Sequence, residues 1–276
     1  MISTTDSTAT QDWQAHLNLG FANKNGKTVL AHRSHHGPLT VQRPFYPEGG
    51  VCHVYILHPP GGVVAGDRLT ININAATNSA ALVTTPAAGK FYRSAGKVAR
   101  QQVSLTVDEG ATLEWLPQET IIYEGAKVES ELRLELASTA RFIGWEVVAL
   151  GRPAAQEGFT AGELTMNWHI VKAGVLFYRE RLRIDAQAFA ARWGLNGHSA
   201  YGTLFAYPST AAHLEAVQQL IGEHPNRGVT RIDDLLICRA LDDRADVLRD
   251  FFQQVWQLLR TDIAQQSACA PRIWAT

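Results

Sequence analysis

The chain has 276 residues, of which 46% are hydrophobic and 18% charged, and its formal net charge is −1. This composition predicts a soluble globular protein of one large or two ordinary domains, and excludes a global field that would attract nucleic acid or an anionic membrane. The N-terminus lacks the order of a signal peptide, no apolar run approaches the roughly 18 residues of a membrane span, and three scattered cysteines form no paired motif. We therefore expect a protein of the reduced cytoplasm.

The first predicted strand follows a tail, residues 1–11, that we expect to be flexible. Over residues 13–21 every second residue is apolar, which is the period of a half-buried strand, and Asn25-Gly26 lies in the turn that follows. A short strand at 28–30 then precedes residues 32–38, which we interpret as a loop. That loop contains three histidines, but no carboxylate or cysteine at a defined ligand spacing, so we expect no dedicated metal site at His32, His35 and His36.

A turn rich in proline and glycine, HPPGGVVAGDR, occupies residues 58–68. The spacing of Gly61 and Gly66 is that of a phosphate loop, but Asp67 stands where such a loop needs a lysine, and no helix is predicted after it. A nucleotide site is therefore excluded. Two interpretations of Asp67 remain: its carboxylate satisfies the backbone of the turn, or it attracts a cation.

Short strands alternate with turns between residues 51 and 150, and a hairpin is predicted over 162–171 and 175–184. This is the pattern of an all-β architecture, although no exact repeat demands a regular solenoid. The region after residue 209 differs: we predict helices at about 210–222 and 243–262, the second capped by Asp242 or Asp243, with a strand at 231–240 between them.

The chemistry-bearing residues are isolated carboxylates. Glu146 lies in an apolar strand and faces either solvent or the interior, whereas Glu180 is predicted to point inward, because it alternates with Arg179 and Arg181 and an inward carboxylate needs a partner. Two of these groups could form the acid and base of a glycosidase, or several could line a path for a cation that oxygen ligands hold weakly. The six candidates are Asp67, Glu114, Glu119, Glu124, Glu146 and Glu180.

A third class of function, nucleic-acid binding, rests on Lys90 and Arg93 with Phe91 and Tyr92 between them. An aromatic loop or a protein-binding surface is the stronger interpretation, because the chain has no basic excess. A C-terminal tryptophan, Trp274, is predicted either to pack on the body or to contact a partner.

Several segments together resemble the urease accessory protein D family (UreD, also called UreH). The resemblance runs in order from about residue 13 to the C-terminus. The segments are LTVQRPFYP (39–47), HPPGGVVAGDRL (58–69), KFYRS (90–94), LEWLPQE (113–119), LGRP (150–153), Glu180-Arg181 and PRIW (271–274).

The resemblance implies a single domain over 12–276: a mainly β, irregular β-helical body of many strands with two helices toward the C-terminus. It also implies a non-enzymatic chaperone that binds apo-urease, recruits UreF and, through it, the nickel-carrying GTPase UreG, and passes nickel along an internal channel without a tightly bound cofactor. Carried over by motif, Asp67, Glu146 and Glu180 are the polar residues assigned to that nickel path.

Overall fold

The computed structural model describes residues 13–275, so the predicted tail over 1–11 lies outside the described residues. Three helices, two of them long, accompany many strands. The strands are β1 (Gln14–Lys24), β2 (Lys27–His36), β3 (Thr40–Val41), β4 (Cys52–Leu57), β5 (Arg68–Ala75), β6 (Ala80–Thr84), β7 (Gly89–Phe91), β8 (Ala99–Val107), β9 (Thr112–Trp115), β10 (Thr120–Ile122), β11 (Lys127–Leu136), β12 (Arg141–Leu150), β13 (Glu163–Lys172), β14 (Val175–Asp185), β15 (Ala200–Tyr207), β16 (Arg227–Ile232) and β17 (Leu235–Asp242). The helices are α1 (Ala186–Ala190), α2 (Ala211–Ile221) and α3 (Ala245–Ile263).

The strands form two sheets. The first has the order β14-β13-β11-β8-β5-β1-β2, and the second has β16-β17-β15-β12-β9-β6-β4-β3, with β10 joining β12 and β7. From β4 to β13 the chain crosses back and forth from one sheet to the other and adds parallel strands to each. The first sheet gains β5, β8, β11 and β13, and the second gains β4, β6, β9 and β12. This winding confirms the mainly β, solenoid-like body.

Equivalent positions of successive turns of the winding lie side by side. Leu105 of β8, for example, is in register with Ile73 of β5 and with Leu134 of β11, and all three side chains are buried. Stacked apolar rows therefore hold the solenoid together without any repeated sequence motif, because burial needs only an apolar side chain at each inward position.

The second sheet is buried on both faces. One face packs against the first sheet, and the other packs against α2 and α3. On β12, Phe142 and Val148 belong to the core between the sheets, whereas Ile143, Trp145 and Val147 belong to the core beneath the helices. A strand covered on both sides has no polar face, which explains the near-continuous apolar sequence of β12.

Several local predictions are wrong. The segment containing the three histidines is not a loop: β2 continues to His36, because pairing with β1 satisfies its backbone, and it stops before Gly37. Helix α3 begins after Arg244, whose side chain makes no capping bond; the carboxylate of Asp242 instead accepts the backbone N–H groups of Asp243 and Arg244.

The strand predicted at 231–240 is in fact a hairpin of β16 and β17 that turns at Asp233, where φ is +50°. The short helix α1, capped by Asp185, was not predicted. The predicted 162–171 and 175–184 hairpin is confirmed as β13 and β14, and the predicted helix at 210–222 is confirmed as α2, capped by Thr210.

The C-terminal tryptophan is packed on the body. The indole N–H of Trp274 donates to the hydroxyl of Thr84 at 3.1 Å, and its ring contacts Trp145 and Trp256. Of the two interpretations of this residue, the structure supports the first.

Candidate functional site

Glu146 points into the core between the two sheets. Along β12 it is four residues from Phe142 and two from Val148. Because side chains alternate between the two faces of a strand, Glu146 leaves β12 on the same side as these two core residues. Glu146 lines a small cavity of about 10 Å³. A cavity of this volume has room for about one water molecule. The inward interpretation of Glu146 is therefore correct.

This cavity has a few polar residues among mostly apolar walls. Besides Glu146, the polar residues Gln101, Thr120 and Ser130 belong to its lining. No lysine or arginine within residues 13–275 pairs with the Glu146 carboxylate. Burial raises the pKa of Glu146 to about 7, and a hydrogen bond from Trp168 opposes the shift. The carboxyl group is thus poised between its neutral and charged forms near neutral pH.

A row of polar side chains leads from Glu146 across the second sheet. Thr203 of β15 is in register with Glu146 on one side and with Arg239 of β17 on the other. Residues directly opposite each other in neighbouring strands share a face of the sheet, so all three point toward the first sheet. The hydroxyls of Thr203 and Tyr201 lie 2.7 Å apart, which extends the row toward the protein surface.

Glu180 lies at the outer end of this row. Its carboxylate accepts hydrogen bonds from the Arg239 guanidinium at 2.5 Å and the Tyr178 hydroxyl at 2.5 Å, with the Tyr201 hydroxyl at 3.4 Å. Burial and the nearby Glu180 charge raise the pKa of Tyr201 to about 12. The prediction that Glu180 points inward and has a partner is confirmed.

The Glu180 cluster opens on a pocket of about 650 Å³, lined also by Tyr201, Arg239 and the exposed Trp193. Trp168, in register with Glu180 on the first sheet, supplies the hydrogen bond to Glu146 and packs against Phe205. One indole ring is therefore adjacent to Glu180 in the first sheet and bonded to Glu146 of the second sheet.

Asp67 satisfies the turn in which it lies. Its two carboxylate oxygens accept the backbone N–H groups of Trp13 and Val64, each at 3.0 Å, and its side chain is buried. This agrees with the first of the two interpretations. Its contribution to a cation path stays a prediction, because the same oxygens keep lone pairs free.

Glu114 belongs to a buried ionic cluster rather than to an open site. It accepts two hydrogen bonds from Arg260 of α3, both at 2.9 Å, and one from the Trp256 indole at 2.6 Å. Arg260 also contacts Glu48 at 2.6 and 2.7 Å, and Glu48 in turn contacts His53 at 2.5 Å. Although burial alone acts in the opposite direction, His53 and Arg260 hold the pKa of Glu48 below its ordinary value.

The remaining candidate carboxylates are each bound to a single neighbouring segment. Glu119 pairs with Arg249 of α3 at 3.2 Å, and Glu124 accepts the backbone N–H and the hydroxyl of Thr160 at 2.8 and 2.7 Å. A glycosidase needs two carboxyl groups facing one substrate bond. Glu114, Glu119 and Glu180 are each paired with an arginine, Asp67 and Glu124 each accept a backbone N–H group, and Glu146 lies apart from the other five, so the structure does not favour that alternative.

The aromatic residues proposed for nucleic-acid binding do not present stacking surfaces. Phe91 is buried in β7, and Tyr92 packs edge-on against Tyr123, so neither ring is presented as a stacking platform.

Within residues 13–275 no group of three or more His, Cys, Asp or Glu side chains is arranged to hold a metal ion, and no helix in that range is long and apolar enough to cross a membrane.

Sequence reasoning missed the partners of these carboxylates. Thr203, Arg239 and Trp168 come from strands whose pairing with β12 and β14 is not visible locally. The available signal was the pattern of β17: Arg239 is a single charge within the apolar segment 235–241, where a buried partner is expected.

Comparison with known proteins agrees with this architecture. The profile of the family described as "UreD urease accessory protein" matches residues 14–275. Proteins named urease accessory protein UreD are similar over nearly the whole chain: one from Pseudomonas putida is 44% identical, covering 96% of this chain and 95% of the relative. One from Citrobacter koseri is 42% identical (98% and 94% covered), and one from Nostoc sp. is 41% identical over both full lengths. The chain therefore belongs to the UreD family of urease accessory proteins.

Proposed function

We propose that this protein is a non-catalytic chaperone of urease maturation that passes nickel through its interior to apo-urease. A role in urease maturation follows from membership of a family of urease accessory proteins. The finer steps form the proposal: it binds the urease structural subunits, carries UreF and, through UreF, UreG, and holds no tightly bound cofactor of its own.

The observation that carries the nickel path is the unpaired Glu146 carboxylate between the sheets. An isolated buried carboxylate costs free energy, which a passing cation offsets by supplying the missing positive charge. The neighbouring oxygens of Gln101, Thr120 and Ser130 are suited to replace part of a cation's hydration shell. A site of oxygen ligands binds nickel less tightly than one of imidazole or thiolate, which favours release.

The direction of the path is proposed from the polar row. A cation enters at the 650 Å³ pocket beside Glu180 and passes Tyr201 and Thr203 to reach Glu146. Because the inner cavity has room for about one water, the ion sheds most of its hydration shell there, and the Trp168 ring moves aside. Asp67 is proposed as a further polar residue of the path.

The cellular setting is proposed to be the cytoplasm, with neither nucleic acid nor membrane as a partner. All three cysteines are free, and Cys52 and Cys238 are buried, as is usual where thiols stay reduced.

The test is co-expression with the urease structural subunits, the other accessory proteins and nickel, with and without this chain. We expect the chain to co-purify with apo-urease, and urease activity and nickel content to depend on it. Glu146→Gln and Glu180→Gln are expected to keep the complex and reduce nickel loading, whereas Glu135→Gln, an exposed control in a surface ion pair, is expected to load normally. Full nickel loading of urease by a variant that combines Glu146→Gln and Glu180→Gln would contradict the path. Absence of any complex between the wild-type chain and apo-urease would contradict the chaperone role.

A further inference from the structure

Two histidines face each other on the outer surface of the first sheet. His16 of β1 is directly opposite His36 of β2 in the antiparallel register. Side chains at directly opposite positions leave the sheet on the same face, with Cβ atoms about 4.5–5.5 Å apart. His36 is exposed and His16 partly so, which leaves both imidazoles open to solvent.

The next cross-strand pair shows that side chains on this face do meet. Asn18 and Ser34 are the following opposite residues, and the Asn18 amide donates to the Ser34 hydroxyl at 3.0 Å. The Asn72 amide of β5 continues the contact by donating to Asn18 at 2.8 Å. The outer face thus joins side chains of three neighbouring strands in rows, and the two histidines occupy one of them.

A second observation concerns Thr70, the member of that row on β5. Thr70 is in register with His16, and its side-chain oxygen is buried without a hydrogen-bond partner among the described residues. A hydroxyl beside an imidazole can accept the N–H of one ring nitrogen, which fixes the ring and leaves its other nitrogen free as a ligand. An orphan oxygen next to His16 fits that supporting role.

We propose that His16 and His36 form a two-imidazole site for a borderline divalent transition metal such as Ni²⁺, Zn²⁺ or Cu²⁺. Neutral imidazole is a good ligand for these ions, with metal–nitrogen distances of about 2.0–2.1 Å, which two opposed rings can reach together. Water fills the remaining positions, so the site exchanges its ion. This site goes beyond the internal path proposed above, since it lies on the outer face of the first sheet rather than between the sheets.

The other two histidines of β2 do not belong to the site. His35 is opposite Leu17, whose buried side chain marks the other face of the sheet. His32 lies on the far side of Ser34, four residues or roughly 13 Å from His36, next to the irregularity at Gly20. Both are exposed histidines on the same strand, which makes them matched controls.

The experiment titrates the full-length chain with Ni²⁺ and with Zn²⁺ against a chromophoric competitor at pH 7.5, and records the electron paramagnetic resonance of one equivalent of Cu²⁺. We expect His16→Ala and His36→Ala each to weaken binding at least tenfold, because loss of even an outer-shell partner costs about 10–100-fold. Nitrogen coupling from two imidazoles is expected in the wild type and from one in each variant. Binding weakens on acidification, when protons compete for the ring nitrogens.

His32→Ala and His35→Ala are expected to bind like the wild type. Unchanged affinity and spectrum in His16→Ala and His36→Ala, or an equal loss in the two controls, overturns the proposal. Circular dichroism of every variant checks the fold, and His16→Gln repeats the test with a larger polar side chain. Glu146→Gln is expected to keep this binding, so failure of the surface site and failure of the internal path give different results.

Discussion

Replacing Glu146 by glutamine removes the charge of the buried carboxyl group while keeping its shape. Burial raises the pKa of this group from 4.5 to about 7 in the folded protein. Between these values the folded state binds more protons than the unfolded state, so stability falls as the pH rises from about 4.5 to about 7. Above pH 7 the ionised group carries its full penalty. The substitution therefore stabilises the protein at high pH.

The size of the effect follows from the two pKa values. The difference between 4.5 and about 7 corresponds to about 3 kcal/mol in the free energy of unfolding at pH 8, since one pKa unit equals about 1.4 kcal/mol. The cavity beside Glu146 has room for about one water. One solvating water reduces the penalty, so we expect a gain of about 2–3 kcal/mol for Glu146→Gln at pH 8 and less than about 1 kcal/mol at pH 5.

Thermal and urea unfolding of the wild type and of Glu146→Gln at pH 5 and pH 8 measure this difference. For a chain of this size, a gain of about 2 kcal/mol raises the midpoint temperature by about 4–8 °C. Glu135→Gln is the control, because Glu135 is 45% exposed beside Arg133 and such surface pairs contribute about 0–1 kcal/mol at either pH. If Glu146→Gln is no more stable than the wild type at pH 8, the carboxylate is already solvated or paired, and the argument for an unpaired internal ligand fails.

Two further predictions concern groups that hold the fold. Arg260→Met leaves the carboxylates of Glu48 and Glu114 buried without their cation, so we expect a loss of about 3–5 kcal/mol in the free energy of unfolding by urea titration, against less than about 1 kcal/mol for the exposed Arg244→Met. A small loss for Arg260→Met would show that α3 is not held by this cluster. Asp67→Ala removes two hydrogen bonds to backbone N–H groups and is expected to cost about 2–3 kcal/mol, whereas Asp67→Asn, which keeps an acceptor, is expected to cost less. Equal stability of Asp67→Ala and the wild type, measured in the same titration, would contradict the turn role.

The local pattern of apolar and polar residues was sufficient to predict buried side chains where one face of a strand or helix is polar. The alternation in β1 correctly predicts its buried residues, Leu17 and Leu19 among them, and the same alternation places Glu180 opposite Arg179 and Arg181. Helix α2 is bounded by Thr210 and Gly222, whose capping preferences are local properties of the chain.

The hydrophobic pattern failed to predict side-chain direction in a strand whose two faces are both buried. Both faces of β12 are apolar, because one meets the first sheet and the other meets the helices. With no polar face to compare, the sequence does not show which way the Glu146 carboxylate points. The loop prediction for the segment that carries His32, His35 and His36 failed for a related reason. The edge strand β2 is polar on both faces in its second half, and the facing of His16 and His36 depends on its register with β1.

The sequence by itself determined the class of architecture, the two long helices, the inward direction of Glu180 and the family resemblance, because each depends on short-range spacing. Only the tertiary structure decided which charges meet. Arg260 joins Glu48 and Glu114 across 212 and 146 residues, and Glu146 meets Thr203 only because β12 pairs with β15. Such contacts follow from how the chain winds between its sheets, and no local pattern of hydrophobicity or charge specifies that winding.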